Sequence, residues 1–262
     1  MDYAKGLWHC FGCGAGGDAF DFLGYALFLE YDRHTHFGRL LDMLAGLQVR
    51  PLAAPELQAL PKQPAFTLEA RRLEAWEQRL FARPDLLEWL AARGIDAAAA
   101  RHWRLGATDM GQIAIPHFYR GVVVAVKLRR HPESTAGPKY VSVKGSSYSV
   151  PFNADMLQLA QPQVAILETE LDAIACQTLT GIPSVSLPAG QFKAELAARF
   201  LLCKKIIAIL DNDAAGITNG SKIKSLLRRA TFRLPPSGKD LGDWIREHPG
   251  QPLDWIIKGG HT

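Results

Sequence analysis

Glu168, Asp211 and Asp213 are the residues whose type and spacing point most directly to chemistry. Glu168 follows the apolar run Val164-Ala165-Ile166-Leu167, and Asp211 follows Ile206-Ile207-Ala208-Ile209-Leu210. In open α/β sheets ligands collect outside the carboxyl ends of the strands, so two strand–helix units deliver acids to one edge. Asp211 and Asp213 are two positions apart, which turns both side chains the same way in an extended segment. Carboxylate oxygens are hard ligands, and a cluster of them with little neutralising charge suits Mg²⁺, or Mn²⁺ in its place. An ion so held bridges phosphate oxygens and stabilises both the attacking and the leaving oxygen. Asp240 and Asp243 follow a fourth strand-like run, Thr231-Phe232-Arg233-Leu234, and extend the set of metal ligands. Lys239 beside them offers a point charge for a phosphate. The plainer reading of any one acid is a helix cap. That reading is favoured for Asp172 and is evenly matched for Asp213, which precedes Ala214-Ala215-Gly216. Three acids at corresponding strand ends favour the metal.

A second set of ligand types opens the chain. Cys10 and Cys13 lie in the glycine-rich segment Trp8-His9-Cys10-Phe11-Gly12-Cys13-Gly14-Ala15-Gly16-Gly17, with the spacing of one zinc knuckle. They supply half of the four ligands a structural zinc needs, so weak Zn²⁺ binding is expected. His34 and His36 are less favoured as further ligands than as helix-surface histidines. Cys176 and Cys203 fall in expected helices and read as buried core thiols. Basic residues cluster separately, at Arg120, Lys127, Arg129, Arg130, His131, Lys139 and Lys144. A solvated, aggregation-resistant strand edge accounts for such a cluster as well as phosphate binding does.

The elements that must position these residues follow from periodicity. Asp18 caps an expected helix through Phe22 and Leu23, and Phe37, Leu40, Leu41, Leu44 and Leu47 fit a second. Pro51, Pro55, Pro61 and Pro64 mark a linker. Helical spacing returns over Leu68–Phe81 and Leu86–Ala91, and Asp96 starts a short helix to Trp103. Ile113–Pro116 and Val122–Val126 are β-branched strands joined by a turn at Arg120-Gly121. Strands at Val164–Leu167, Ser184–Leu187, Ile206–Leu210 and Thr231–Leu234 alternate with helices expected at Glu170–Leu179, Lys193–Cys203 and beyond Asp213. This alternation indicates a mainly parallel, buried sheet flanked by helices, an α/β fold with an α+β N-terminal part.

The bulk numbers agree with a folded chain. Of 262 residues, 48% are hydrophobic and 21% charged, with a net charge of +4. That charge is mildly basic and compatible with a nucleic-acid partner. No apolar run approaches the roughly 20 residues needed to span a bilayer, so no membrane partner is expected. Four cysteines suit a reducing, cytoplasmic setting better than a disulfide framework.

Three runs carry a family resemblance. Ile166-Leu167-Glu168-Thr169-Glu170-Leu171-Asp172-Ala173, then Ile209-Leu210-Asp211-Asn212-Asp213-Ala214-Ala215-Gly216, then Lys239-Asp240-Leu241-Gly242-Asp243 resemble a TOPRIM domain, the fold shared by DnaG-type primases, topoisomerases and some nucleases. The resemblance implies metal ligation by Glu168 and by the Asp211-x-Asp213 pair. It also implies a glycine after the glutamate, where this chain has Thr169. Trp8 to Phe22 resembles the second half of the zinc ribbon that opens DnaG-type primases. The family's Cys-x-x-His pair would lie upstream, so either the start is cut short or the ribbon is degenerate. Leu86–Leu105, Ile115-Pro116, Gly121–Arg129 and Pro138-Lys139-Tyr140 resemble the basic subdomain of the same primases. The resemblance makes Arg129 and Lys139, then Lys127, the phosphate-contacting residues, with Lys239 joining them.

The resulting division is a partial ribbon with helices at 1–48, a linker at 49–66, a basic primase subdomain at 67–160 and a TOPRIM domain at 161–262. The activity implied is Mg²⁺-dependent synthesis of short RNA primers from ribonucleoside triphosphates on single-stranded DNA, with a replicative helicase as a partner. A compact primase of a phage, plasmid or integrated element fits, as does a fragment of a longer primase–helicase. A TOPRIM nuclease, or a non-catalytic DNA-binding replication protein that keeps the fold, are the alternatives. A topoisomerase needs a large tyrosine-bearing domain for which this chain has no room.

Overall fold

Val164, Ala165, Ile166 and Leu167 are all buried, although successive strand residues point to opposite faces. Such a strand requires packing on both sides. The computed structural model describes residues 7–10, 14–27, 31–46, 66, 68–148, 151–158, 161–187, 192, 194–200 and 203–259. The linker proposed at 49–66 lies outside these apart from Phe66, and so does Cys13.

The N-terminal part is a two-stranded hairpin, β1 (Trp8–His9) and β2 (Gly16–Gly17), followed by helices α1 (Ala19–Leu27) and α2 (Arg33–Gly46). Asp18 caps α1 as expected, its Oδ1 accepting the amides of Phe20 and Asp21 at 2.8 and 3.0 Å. Arg33 at the start of α2 ties back to Asp18 and Asp21 at 2.9 and 2.7 Å. His36 closes the first turn of α2 by accepting the Asp32 amide at Nδ1. Cys10 sits in a tight turn, where its amide donates to Ala15 and its carbonyl accepts from Gly14.

Next come helices α3 (Ala70–Phe81), α4 (Pro84–Ala91) and α5 (Ala97–His102). Asp96 caps α5 by accepting the Ala99 amide at 2.7 Å. An antiparallel sheet follows in the order β3-β4-β5-β6, formed by Gly106–Ala107, Ile113–Tyr119, Val122–Arg129 and Tyr140–Ser142. Arg120 and Gly121 both have positive φ, 53° and 75°, the conformation a two-residue hairpin turn requires. Trp76 of α3 packs with Ala114 and Val126 beneath this sheet.

The second sheet is wholly parallel. Its strands are β7 (Gln161–Leu167), β8 (Ser184–Ser186), β9 (Cys203–Ile209) and β10 (Ala230–Arg233), in the spatial order β10-β9-β7-β8. Helices α6 (Glu170–Thr180), α7 (Ala194–Ala197), α8 (Ala214–Leu226) and α9 (Leu241–Glu247) complete the units. Ala165, Leu167, Ile207 and Ile209 face a core shared with α4, α6 and α9, in which Leu90, Ile174 and Trp244 take part. Val164, Ile166, Ile206 and Ala208 face the other core, with Phe192 and Phe200. Each fully buried isoleucine or leucine in these layers contributes roughly 1.5–3 kcal/mol.

One expected helix is corrected. The run from Lys193 to Cys203 gives four α-helical residues and a 3₁₀ turn at Ala198–Phe200. Cys203 itself begins β9. The apolar segment carries no periodicity that separates helix from strand, and pairing with Gln161 of β7 decides the matter. Cys203 and Cys176 are nonetheless buried, and burial pushes both thiols up to about 11.

Candidate metal and phosphate site

The strand order creates the site. β7 leads outward to β8, and the chain then returns to the other flank of β7 to form β9 and β10. The helices leaving β7 and β9 therefore diverge, and a crevice opens at the carboxyl ends of these two neighbours. Glu168 leaves β7 there, and Asp211 and Asp213 leave β9. The Asp211 amide lies 3.4 Å from Glu168 Oε1, so the two strand ends meet. Lys239 Nζ sits 3.0 Å from Asp213 Oδ2 and 3.7 Å from Asp211 Oδ2. The Lys239 carbonyl also accepts the Asn212 amide at 2.7 Å, fixing this loop against the turn after β9.

Local chemistry shapes each turn. Asp213 is the N-cap of α8, with Oδ1 accepting the Gly216 amide at 2.9 Å. It is a cap and a site acid at once, one oxygen serving each role. Gly216 is required here, because a Cβ at this position would lie 2.0 Å from the Asp211 carbonyl oxygen. Gly216→Ala should therefore lower stability by about 1–3 kcal/mol and displace the turn that carries both aspartates. Thermal melting reads the loss, and an unchanged midpoint would show that the turn accommodates a side chain there. Thr169 adopts φ −118°, ψ 156°, ordinary extended backbone, so the glycine that the family resemblance implies is not needed for a left-handed turn.

Asp172 is a cap of an unexpected kind. Its carboxylate accepts the Thr169 hydroxyl at 2.6 Å and, across the crevice floor, the Gly242 amide of α9 at 3.2 Å. Asp240 caps α9 by accepting the Asp243 amide at 2.7 Å and is buried. Asp243 pairs with Arg246 and accepts the Lys239 amide.

The acids carry unbalanced negative charge. Burial first, then the charges of Glu168 and Asp240, push the Asp211 carboxyl up to about 6. Glu168 is raised for the same leading reason, and Asp172 is pushed up by burial and by Asp240. Asp213 is held below its usual range by the Gly216 amide and by Lys239. Among the described residues no three Asp, Glu, His or Cys side chains are gathered into a ready-made metal cage. The donor set nevertheless fits a hard divalent cation. It consists of carboxylate oxygens, and their mutual repulsion is relieved only in part by one lysine.

This charge imbalance has a pH signature. Between the ordinary carboxylate range and about 6, Asp211 holds a proton in the folded chain that it lacks when unfolded. Folding stability contributed by this group therefore rises as pH falls through that window. The thermal midpoint in chelator-containing buffer should be higher near about pH 5 than near about pH 7.5, and Asp211→Asn should flatten the difference. A slope that Asp211→Asn leaves untouched would assign it elsewhere.

The basic residues are placed unequally. Lys139 is exposed, with its ammonium 5.9 Å from the Tyr140 ring. Arg129 is largely buried, its guanidinium between Trp89 at 5.4 Å and Tyr140 at 5.5 Å. Lys127 points inward instead. Its Nζ is 2.5 Å from Oε1 of Glu170, a fully enclosed carboxylate that also lies 3.3 Å from His117 Nε2. Sequence reasoning missed Glu170. The available signal was that Ala125, Lys127 and Arg129 share one face of a strand whose partner face must pack on something.

A Toprim-like family profile matches residues 165–245, the stretch that carries these acids. A DNA primase of Streptomyces coelicolor is 24% identical over 273 residues, covering 81% of this chain. The chain spans only 42% of that relative's length. Among solved structures, the zinc-binding and RNA polymerase domains of the Aquifex aeolicus primase match with a TM-score of 0.60 at 20% identity, over 98% of this chain and 74% of that one. A DNA primase domain from Pseudomonas aeruginosa matches with a TM-score of 0.56 at 19% identity, over 68% and 73%. No described helix is long and apolar enough to cross a membrane. Residues 165–245 thus match a Toprim-like domain, and the chain has the fold of the primase structures to which it is similar.

Proposed function

We propose that this protein synthesises short RNA primers on single-stranded DNA by nucleotidyl transfer. The observation that carries the reading is the meeting of Glu168 and Asp211 at the β7–β9 crevice, with Asp213 and Lys239 beside them. Glu168, Asp211 and Asp213 would hold Mg²⁺ or Mn²⁺, with Asp240 and Asp243 flanking. Such an ion supplies charge neutralisation at the transferring phosphorus and its oxygens.

The chain's own residues account for the rest. A ribonucleotide 3′-hydroxyl, giving up its proton to solvent water, attacks the α-phosphorus of an incoming ribonucleoside triphosphate; the new P–O bond forms, the bond between the α-phosphorus and its bridging oxygen breaks, and pyrophosphate leaves. Lys239, largely exposed and able to exchange Asp213 for a phosphate, neutralises the triphosphate as a point charge. Lys139 presents an exposed ammonium to phosphates of template or nucleotide, and Arg129, largely buried between Trp89 and Tyr140, adds only the edge of its guanidinium that stays uncovered. Lys127 acts on Glu170 and supports the sheet that carries these cations. Such an enzyme would work in the cytoplasm alongside a replicative helicase.

Incubation with single-stranded DNA, ribonucleoside triphosphates and Mg²⁺ or Mn²⁺ tests the reading directly. Short template-dependent RNA is the expected product. Cleaved template without RNA would replace the primase with a nuclease, and binding without either product would replace it with a non-catalytic replication protein.

A further inference from the structure

The parallel sheet sorts its charges end to end. Between Arg199 and Ala230 the sequence holds seven cations and two acids, and the acids are Asp211 and Asp213. Both acids lie at the carboxyl edge. The cations lie at the other edge, for topological reasons. Arg199 is in the turn leading into β9, and Lys204 and Lys205 are among its first residues. Helix α8 runs back from the carboxyl edge, so Lys222 and Lys224 in its closing turns return to the amino edge. Arg228 and Arg229 directly precede β10.

Lys204, Lys205, Lys222, Lys224 and Arg228 are all exposed. Among the described residues no ion pair engages these five. Like charges at such density repel, and nothing in the described fold neutralises them. Protection of a sheet edge accounts at most for Lys204 and Lys205, where β9 pairs with β7 but not yet with β10; Lys222, Lys224 and Arg228 lie outside any strand. An aromatic ring adjoins the patch. Tyr119, at the end of β4, has the Arg120 guanidinium 5.4 Å and the Arg199 guanidinium 5.9 Å from its ring centre. Arg120 is held there through its amide, which donates to Asp155 at 2.7 Å.

We infer that the amino edge of the parallel sheet is a second nucleic-acid surface, remote from the acidic crevice, which binds the phosphate backbone of a single strand. A sheet edge whose exposed cations, on both faces, have no acid paired to them among the described residues attracts a polyanion whatever its sequence. A tyrosine flanked by guanidiniums offers a base a stacking platform that only an unpaired strand can use, which selects single strand over duplex. The surface lets the protein hold a template at one edge of the sheet while the acids at the other edge remain open.

The test is anisotropy titration of a labelled single-stranded oligonucleotide of mixed sequence at several salt concentrations. Removing three phosphate contacts with Lys204→Gln/Lys205→Gln/Arg228→Gln should reduce the slope of log K against log salt by about 2, and weaken binding about tenfold at low salt. The charge-keeping Lys204→Arg/Lys205→Arg variant should retain the wild-type slope, which separates charge from any loss of folding. Tyr119→Ala should weaken single-strand binding about tenfold with little change of slope. Asp211→Asn should not lower the slope. A triple variant with the wild-type slope overturns the proposal, and so does a slope change seen with duplex while Tyr119→Ala has no effect on the single strand. Binding is read without nucleotides, so the result for this surface does not depend on whether the chain makes primer.

Discussion

Asp211→Asn should abolish primer synthesis while making the metal-free protein more stable at neutral pH. Both effects have one cause. The wild-type carboxylate is half-enclosed beside Glu168 and near Asp240, and its raised titration records the cost of keeping it charged there. Asparagine keeps the shape and removes the charge, so the repulsion ends. On the proposed reading it also removes a hard anionic ligand, and the loss of such a group should lower primer yield by about 100-fold or more, beyond what supporting residues of a metal site cost. Mg²⁺ should raise the thermal midpoint of the wild type and leave that of the variant nearly unchanged. Measuring product and midpoint on the same two proteins checks both halves. A variant that is less stable than the wild type at neutral pH in chelator, or one that retains product, would show that Asp211 does not bear the strain described.

The largest stability effect is expected at Lys127. Glu170 is 1% exposed, and burial alone would raise its carboxyl, but the His117 and Lys127 side chains hold it at about 2. Lys127→Met would leave that carboxylate enclosed without its closest cation, at a cost of about 3–5 kcal/mol. Lys127→Met combined with Glu170→Gln removes both charges and should recover much of the loss. Urea unfolding of the singles and the double should give a coupling of at least about 1 kcal/mol. The pH dependence follows from the direction of the Glu170 shift. Its folded value lies below its unfolded one, so its contribution is complete above the ordinary carboxylate range and is lost as pH falls toward about 2. Glu170→Gln should flatten this acid limb. A Lys127→Met protein within about 0.5 kcal/mol of the wild type would make the pair a surface contact in energetic terms.

The parts legible in the sequence are those written by local rules. Asp18 and Asp96 announce their helices by cap chemistry, and Arg120-Gly121 announces its hairpin by position. The apolar runs before Glu168 and Asp211 specify strands buried on both faces, and the location of the acids follows. Their proximity does not follow, because it depends on β9 returning to the side of β7 away from β8. The inward turn of Lys127 was hidden for a related reason. Its partner Glu170 is 43 residues away, amid an acid-rich run in which composition does not distinguish the carboxylate that takes a lysine from Glu168 and Asp172. The segment before Cys203 misled because apolar residues without period specify burial but not conformation. The basic amino edge could have been read from Arg199 to Ala230, where cations and acids are counted easily, once the strand directions were known.

The placement of β7 inside the sheet has a consequence for how the chain is made. During synthesis β7 and β8 appear early and can pair through Ala165, Ile166 and Leu167 with Ser184, Val185 and Ser186. The other flank of β7 then presents unpaired amides and carbonyls on a strand of high apolar content, a template for any foreign strand. Only when residues 203–209 have left the ribosome does β9 cover it. The same event brings Asp211 to Glu168. The aggregation-prone interval thus outlasts the assembly of the acidic crevice, because the outer flank of β9 stays open until residues 230–233 add β10. Nascent chains stalled before β10 should be substrates for chaperones, and chains that have passed that point should not.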